Sequence, residues 1–240
     1  MALSIAISGY GRMGKESEKM ALSRGHVICA KADNNNDWLT KKEMIRKADV
    51  VIDFSFPETV VSNIKKCFEW NLPVVVGTTG WYDHLEEVRE LCAKKDQTLL
   101  FASNFSIGVN IFFEINKKLA QLMNNYKDYN VSIREIHHTE KLDAPSGTAI
   151  ALANDIIRFL EHKEHWVKSL AQTDDELGIE SLRVENVTGT HIITYESEID
   201  SIEIKHNAKN RSGFALGAIL AAEWIADKKG FYTFNDMLKL

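Results

Sequence analysis

The 240-residue chain contains no run of about eighteen uncharged apolar residues, so no membrane-spanning helix is expected. It has no long basic run either, and 29 Lys and Arg against 34 Asp and Glu give a formal net charge of -5. Phosphate backbones are held by clustered cations, so nucleic acid is not an expected partner. Cysteine is scarce. Cys29, Cys67 and Cys92 are odd in number, far apart and set in apolar segments, which reads as buried free thiols in a reducing compartment. The opening MALSIAISGYGRMG lacks the basic start and long apolar run of a signal peptide, and a cytoplasmic location is expected. Internal repeats and low-complexity linkers are also missing. What remains is 45% apolar and 26% charged residues, the composition of an ordinary globular protein with one large core or two modest ones.

Over roughly the first hundred residues, short apolar runs alternate with helix-length segments. LSIAIS, HVICAKA, DVVIDFS, PVVVG and TLLFAS read as strands, and RMGKESEKMALSRG, PETVVSNIKKCFEW and YDHLEEVRELCAKKD as helices. That order predicts a doubly wound parallel sheet, which binds ligands beyond the carboxyl ends of its strands. After Phe105 the rhythm changes. GVNIFFEINKKLAQLMNN reads as a long amphipathic helix, VSIREI as a strand, the segment after Pro145 as a helix, and LRVEN, THIITYE and IDSIEIKHNA as strands of a second, mostly β domain. FALGAILAAEWIAD, rich in small residues, is expected to pack back on the first domain, with GFYTFNDML as a tail. The expected boundaries are therefore 1–106 with 212–240, and 107–211.

Two places carry chemistry. After the first strand, Gly9, Tyr10, Gly11, Arg12, Met13 and Gly14 spell G-x-G-x-x-G, which lets backbone approach a pyrophosphate at a helix N-terminus. Asp33, about twenty residues on, stands where an acid accepts from an adenosine ribose. Glycines serving a plain turn are the competing reading. Gly77, Thr78 and Thr79 follow the fourth strand, and Ala102, Ser103, Asn104 and Phe105 the fifth, along the rim a dinucleotide would occupy. The second place is IREIHHTEKLDAPSGTAIALA at 133–153. His137 and His138 are of the side-chain type whose unperturbed pKa lies near neutrality, Lys141 carries a fixed cation, and Gly147 and Thr148 open a helix suited to an anion. Together they describe a pocket for a small carboxylate that also needs proton transfer. Because neighbouring strand residues face opposite ways, only one histidine can face the site unless the strand bends. A zinc reading of His162 and His165 lacks ligands to complete a tetrahedral site, and no metal is expected.

HHTEKLDAPSGTA resembles the signature E-x-HH-x-x-K-x-DAPSGTA of the dihydrodipicolinate reductase family, nicotinamide-dependent enzymes of lysine and diaminopimelate synthesis. GRMG at 11–14, DFS at 53–55, GTTG at 77–80, SNFSIGVN at 103–110 and the spacing of His206, Ala208 and Arg211 extend the resemblance over nearly the whole chain. It implies a Rossmann-type domain joined to an α/β substrate domain with a mixed open sheet, whose sheets associate in a homotetramer. It further implies His137 as proton donor or acceptor and Lys141 as proton donor. His138, Gly147 and Thr148 would bind a small cyclic dicarboxylate. Gly9 to Met13, Asp33, the turn at 77–79 and the segment at 102–105 would hold NADH or NADPH. The chain departs from the family pattern at Ser8, where a glycine is usual, and at Thr190, where the family has glutamate within G-E-H. Asp33 argues for NADH, while Lys31, Lys41, Lys42 and Arg12 could screen a 2′-phosphate, so only a several-fold preference is expected. Another two-domain amino- or keto-acid dehydrogenase, or a non-enzymatic dinucleotide sensor, stands as the alternative; neither has reason to keep HH-x-x-K with DAPSGT.

Overall fold

The computed structural model describes residues 1–240. The chain forms two compact units, Met1–Ile107 with Ser212–Leu240, and Gly108–Arg211. Along the first unit run β1 (Ser4–Ser8), α1 (Arg12–Ser23), β2 (Val27–Ala32), α2 (Asn35–Thr40), α3 (Lys42–Ile45), β3 (Val50–Asp53), α4 (Pro57–Glu69), β4 (Val74–Val76), α5 (Leu85–Lys94) and β5 (Thr98–Phe101). Then come α6 (Ile107–Met123), β6 (Asn130–His137), α7 (Gly147–Phe159), β7 (His165–Val167), β8 (Glu176–Arg183), β9 (Gly189–Glu196) and β10 (Ser201–Ala208). The chain finishes with α8 (Ser212–Ile225), β11 (Gly230–Thr233) and α9 (Phe234–Leu238).

In the first unit six parallel strands lie in the order β11-β5-β4-β3-β1-β2. VVID and VVV are buried at every position, as continuous β-branched runs are when helices cover both faces. Trp38, Ile64, Phe68, Trp81 and Val88 fill one face, and Ala21, Ala218, Ala221, Ala222 and Ile225 pack against Ile5, Ile7, Ile52 and Val75 on the other. The small residues of α8 allow close approach: a Cβ on Gly217 would lie 1.8 Å from the Phe105 carbonyl oxygen. GFYTFNDML is not a loose tail. Its first half is β11, a parallel edge strand on β5, and α9 follows through a capping box between Thr233 and Asp236. No helix of the chain is long and apolar enough to cross a membrane. Cys67 and Cys92 are buried and free, whereas Cys29 is only half-buried.

The second unit is a mixed five-stranded sheet, β10-β9-β6-β8-β7, with β6 parallel to β8 and antiparallel to β9. In β6 burial alternates with period two, placing Val131, Ile133, Glu135 and His137 on the helix-covered face. That face packs on Phe112, Ala120 and Met123 of α6 and on Ala149, Leu152, Ala153 and Ile156 of α7. The strand expected at LRVEN instead occupies Glu176–Arg183. Its early charges obscure the alternation, but Leu177 and Ile179 are fully buried and Gly178 leaves room for the Ser169 carbonyl, 2.7 Å from where its Cβ would be.

Candidate functional site

The three glycines of the β1–α1 turn have separate steric reasons. Gly9 has φ +83°, and a Cβ there would meet the Phe54 carbonyl oxygen at 2.2 Å. A Cβ on Gly14 would meet the Gly9 carbonyl oxygen at 2.3 Å, so it packs the helix onto the turn. Gly11 has no protein atom within 4 Å of that position, which leaves its backbone bare to an approaching group. Tight turn, open approach and helix packing are what a pyrophosphate-binding turn requires, and α1 begins at Arg12 with no side chain capping it. Ser8 is the buried last residue of β1, with Oγ accepting from Asn63, so the glycine turn starts one place later than the family spacing.

Asp33 follows β2 immediately and accepts from the Tyr10 N–H at 2.8 Å, which ties the acid to the glycine turn. Its own N–H donates to Asp37, and Asn34 caps α2. Ser8, Gly9, Asp33, Asn34, Asn35, Trp38 and their neighbours line a cleft of about 260 Å³ beside the turn. A further organiser is Asp53. Fully buried at the end of β3, it accepts from Ser55 N (3.0 Å), Ser55 Oγ (2.7 Å), Thr78 Oγ1 (2.7 Å) and Asn63 Nδ2 (3.0 Å). Thr78 is thereby fixed and its carbonyl accepts from the Trp81 indole. Gly77 lies under the Phe54 ring, and Thr79 is exposed. Ala102 hydrogen-bonds Val76, Ser103 is exposed and Asn104 caps the turn at Ser106 N. The Phe105 ring is buried against Phe54 and Phe234, so only its backbone remains for a ligand. These features fit a dinucleotide.

In the second unit the HHTEKLDAPSGT segment folds around Glu135, which is fully buried. Its Oε2 stands 2.7 Å from His137 Nδ1, a charge-assisted distance with the ring N–H angled off the oxygen. Its Oε1 accepts from Ser146 N at 3.2 Å and from Arg183 Nη2 at 3.1 Å. Burial would raise the Glu135 pKa, but the adjacent His137 ring, Ser146 and the nearby Ser181 hydroxyl prevail and hold it well below the usual carboxylate range. Arg183 then reaches the loop, donating from Nε to the Lys141 carbonyl at 3.2 Å and from Nη2 to the Asp143 carbonyl. Lys141 Nζ pairs with Asp143 Oδ1 at 2.9 Å, a partly exposed pair of the kind a substrate carboxylate can replace.

His191, opposite Glu135 in the β6–β9 register, packs its ring edge-on to His137 at 5.1 Å and contacts Ser146 Oγ through Nε2 at 3.2 Å. Burial, with the neighbouring His137 charge, lowers its pKa to about 3, so this ring is neutral at working pH. Gly189 explains the G-x-H pattern: a Cβ there would press within 3.1 Å of His137 Nε2. Thr190 faces away, to Asn207, outside this cluster. Glu135, His137 and His191 offer ligand atoms within 4.8 Å of one another. Glu135 Oε2 and His137 Nδ1, 2.7 Å apart, stand closer than two ligands of a tetrahedral zinc ion, each about 2.0–2.2 Å from the metal, so in this arrangement they face each other directly. His162 and His165 line different clefts.

β6 ends at His137, so His138 leaves the strand and the two histidines need not oppose each other. His138 closes the turn by accepting from Lys141 N. Ser146 caps α7 through Ala149 N, leaving Gly147, exposed and with open space around it, and Thr148 at the helix start. Thus His137, the backbone of the Lys141 loop and the α7 start are tied to one buried carboxylate, through Glu135, Ser146 and Arg183 with His191 alongside, residues to which no role had been assigned. Glu135 was signalled by its spacing two residues before His137 on one strand face; Arg183 and His191 become neighbours only through strand register.

Comparison with known proteins agrees across the chain. Residues 3–105 match the family described as dihydrodipicolinate reductase, N-terminus, and residues 108–238 the one described as dihydrodipicolinate reductase, C-terminus. A 4-hydroxy-tetrahydrodipicolinate reductase of Christiangramia forsetii is 50% identical over 238 residues, covering 98% of both chains. One from Rickettsia bellii is 35% identical over 100% of this chain and 96% of its own. The solved dipicolinate-bound dihydrodipicolinate reductase of Paenisporosarcina sp. TG-14 superposes with a TM-score of 0.78 at 25% identity, covering 99% of this chain and 100% of that one.

Proposed function

The chain belongs to the dihydrodipicolinate reductase family, and from that membership we propose how its residues perform the nicotinamide-dependent reduction of 4-hydroxy-tetrahydrodipicolinate to tetrahydrodipicolinate. The observation that carries the assignment of roles is the convergence of His137, the Lys141 loop and the α7 start on one buried carboxylate. The unit formed by 1–106 and 212–240 is the dinucleotide-binding domain, with Gly9, Tyr10, Gly11, Arg12, Met13, Asp33, Gly77, Thr78, Thr79 and Ala102 to Phe105 holding the cofactor. When bound, the nicotinamide is the hydride source. Residues 107–211 form the domain for substrate and tetramer assembly. There Lys141, His138 and the N–H groups of Gly147 and Thr148 clamp a carboxylate of the cyclic dicarboxylate. Loss of the 4-hydroxyl as water leaves the unsaturated cyclic imine, and as its reduction at C4 would build electron density on the ring nitrogen and C3, the Lys141 ammonium would stabilise it and His137 would supply the proton to C3, a contribution of about a hundred- to ten-thousand-fold.

NADH is the favoured cofactor. Lys31 Nζ is paired with Glu18 at 2.6 Å and donates to the Tyr10 hydroxyl, and Lys41 Nζ is held by Asp37 and the Lys31 carbonyl, both at 2.7 Å. Lys31 and Lys41 are therefore occupied, leaving Lys42 and Arg12 to compensate a 2′-phosphate that Asp33 and Asp37 would meet with like charge. The protein works in the cytoplasm as a homotetramer. The sheet face of the second unit away from its helices supports assembly, because Ile136, Leu182 and Ile192 lie on it among Arg134, Glu180 and Lys205, none of them fully buried. The decisive experiment follows NADH oxidation with substrate made fresh from aspartate semialdehyde and pyruvate. Turnover dependent on both precursors is expected; its absence in folded protein would overturn the reading.

A further inference from the structure

We infer that Glu135 is a positioning residue that sets both halves of the reducing site from below: the ring of His137 and, through Arg183, the loop carrying Lys141. The inference deepens the proposed roles of His137 and Lys141 and rests on them. A buried carboxylate with no chemical task of its own is unusual, because desolvating the charge is costly unless every lone pair is engaged. Here each oxygen has a structural destination. Oε2 faces His137 Nδ1 at 2.7 Å, and Oε1 takes Ser146 N at 3.2 Å and Arg183 Nη2 at 3.1 Å. Arg183 then holds two carbonyls, those of Lys141 and Asp143, on either side of Leu142. One anion thus fixes an imidazole, a helix start and a cation-bearing loop, three pieces that sequence spacing leaves free to move independently.

The consequence for His137 concerns which nitrogen carries the proton. A carboxylate beside Nδ1 selects the neutral tautomer with hydrogen on that atom, leaving Nε2 as the basic nitrogen. Nε2 lies above Gly189, where a side chain is missing, and so is the nitrogen with room to meet substrate. In the protonated ring the same carboxylate stabilises the imidazolium and directs its transferable proton to Nε2. Without the anion, the ring would exchange tautomers and turn about its χ2, and general acid catalysis would lose its geometry.

The tests separate this inference from the reading beneath it. In the wild type, nitrogen NMR of the imidazoles, assigned with His137→Gln, should show the neutral His137 ring protonated on Nδ1; an Nε2-protonated ring would overturn the inference without any variant. Glu135→Gln should retain NADH binding and lower kcat by about ten- to a hundredfold, with a mixture of tautomers at His137. Full kcat with an unchanged ring would also overturn it. Arg183→Met should raise KM for the dicarboxylate while leaving the His137 tautomer as in the wild type, since it releases the loop but not the ring; an unchanged KM would remove Arg183 from the scheme. Wild-type protein that binds NADH but does not turn over would refute the proposed reaction instead, leaving the tautomer result to stand on its own.

Discussion

Acid should destabilise this fold well before its carboxylates titrate, and His191 is the reason. Its ring is 5% exposed, and burial lowers its pKa from 6.5 to about 3. The unfolded chain therefore binds a proton that the folded chain refuses, so stability falls with falling pH. The contribution is fully present above pH 6.5 and is lost between that value and about 3. At pH 5.0 the unfolded state gains RT ln(1 + 10^1.5), about 2 kcal/mol relative to slightly alkaline solution. This magnitude barely depends on the folded value, since a folded pKa anywhere below about 4 leaves the native ring neutral at pH 5.0. Glu135 adds little in this window, because its stabilising contribution is lost mainly as pH falls below its unfolded value of 4.5. His162 and His206, whose pKa values burial also lowers, contribute to the wild-type slope. The quantity to measure is therefore a difference: urea unfolding at pH 7.5 and 5.0 for wild type and His191→Gln, which cannot charge. The wild type should lose about 2 kcal/mol more than the variant over that interval. Equal losses would refute the claim that His191 is held neutral.

Three further outcomes are expected. His137→Gln and Lys141→Ala should each lower kcat by about a hundredfold or more in the NADH-oxidation assay, with NADH affinity by fluorescence titration nearly unchanged; near wild-type kcat would remove that residue from the chemistry. Gly11→Ala adds a methyl where no protein atom lies within 4 Å, so it should fold normally and weaken NADH by about tenfold or more, whereas Gly9→Ala meets backbone at 2.2 Å with φ +83° and should lower the thermal midpoint as well. NADH should be favoured over NADPH by about 1 kcal/mol, several-fold in KM at fixed ionic strength, and Asp33→Ala should narrow or reverse the gap; tighter NADPH binding by wild type would show that the lysines decide.

The first unit was legible because its signals are local. VVID and VVV are short, β-branched and bounded by turns, and the G-x-G-x-x-G spacing falls directly between a strand and a helix, although the steric cause of Gly9 is the distant Phe54 carbonyl. Elements that depend on distant partners were harder. β11 is a strand only because β5 offers an open edge, and β7 is a three-residue edge strand held by β8. Strand β8 was placed six residues late, since Glu176 and Glu180 break the apolar pattern while only tertiary packing shows Leu177 and Ile179 buried. The same division runs through the site. His137, His138, Lys141, Gly147 and Thr148, the residues proposed for the substrate, lie in one short segment of chain. Arg183 and His191 arrive beside Glu135 by the parallel register of β8 and the antiparallel register of β9, which no spacing in the sequence encodes.

Each unit organises its binding end around a buried carboxylate, and the two solve the cost of a buried charge differently. Asp53 has only neutral donors: Oδ1 takes the Ser55 N–H and the hydroxyls of Ser55 and Thr78, and Oδ2 takes the Asn63 amide. An amide in its place would turn one acceptor into a donor and set it against Asn63 Nδ2, so the anion is required by hydrogen-bond count rather than by any cation. Glu135 instead faces a guanidinium and an imidazole, one permanently charged and one whose charge changes as a proton moves. That difference matches the tasks proposed for the two ends. Where a turn must present hydroxyls and backbone to a dinucleotide, fixed neutral donors suffice and no charge need change. Where a proton must be given up, the anion has to tolerate both states of its histidine, and Arg183 keeps Glu135 paired in each of them.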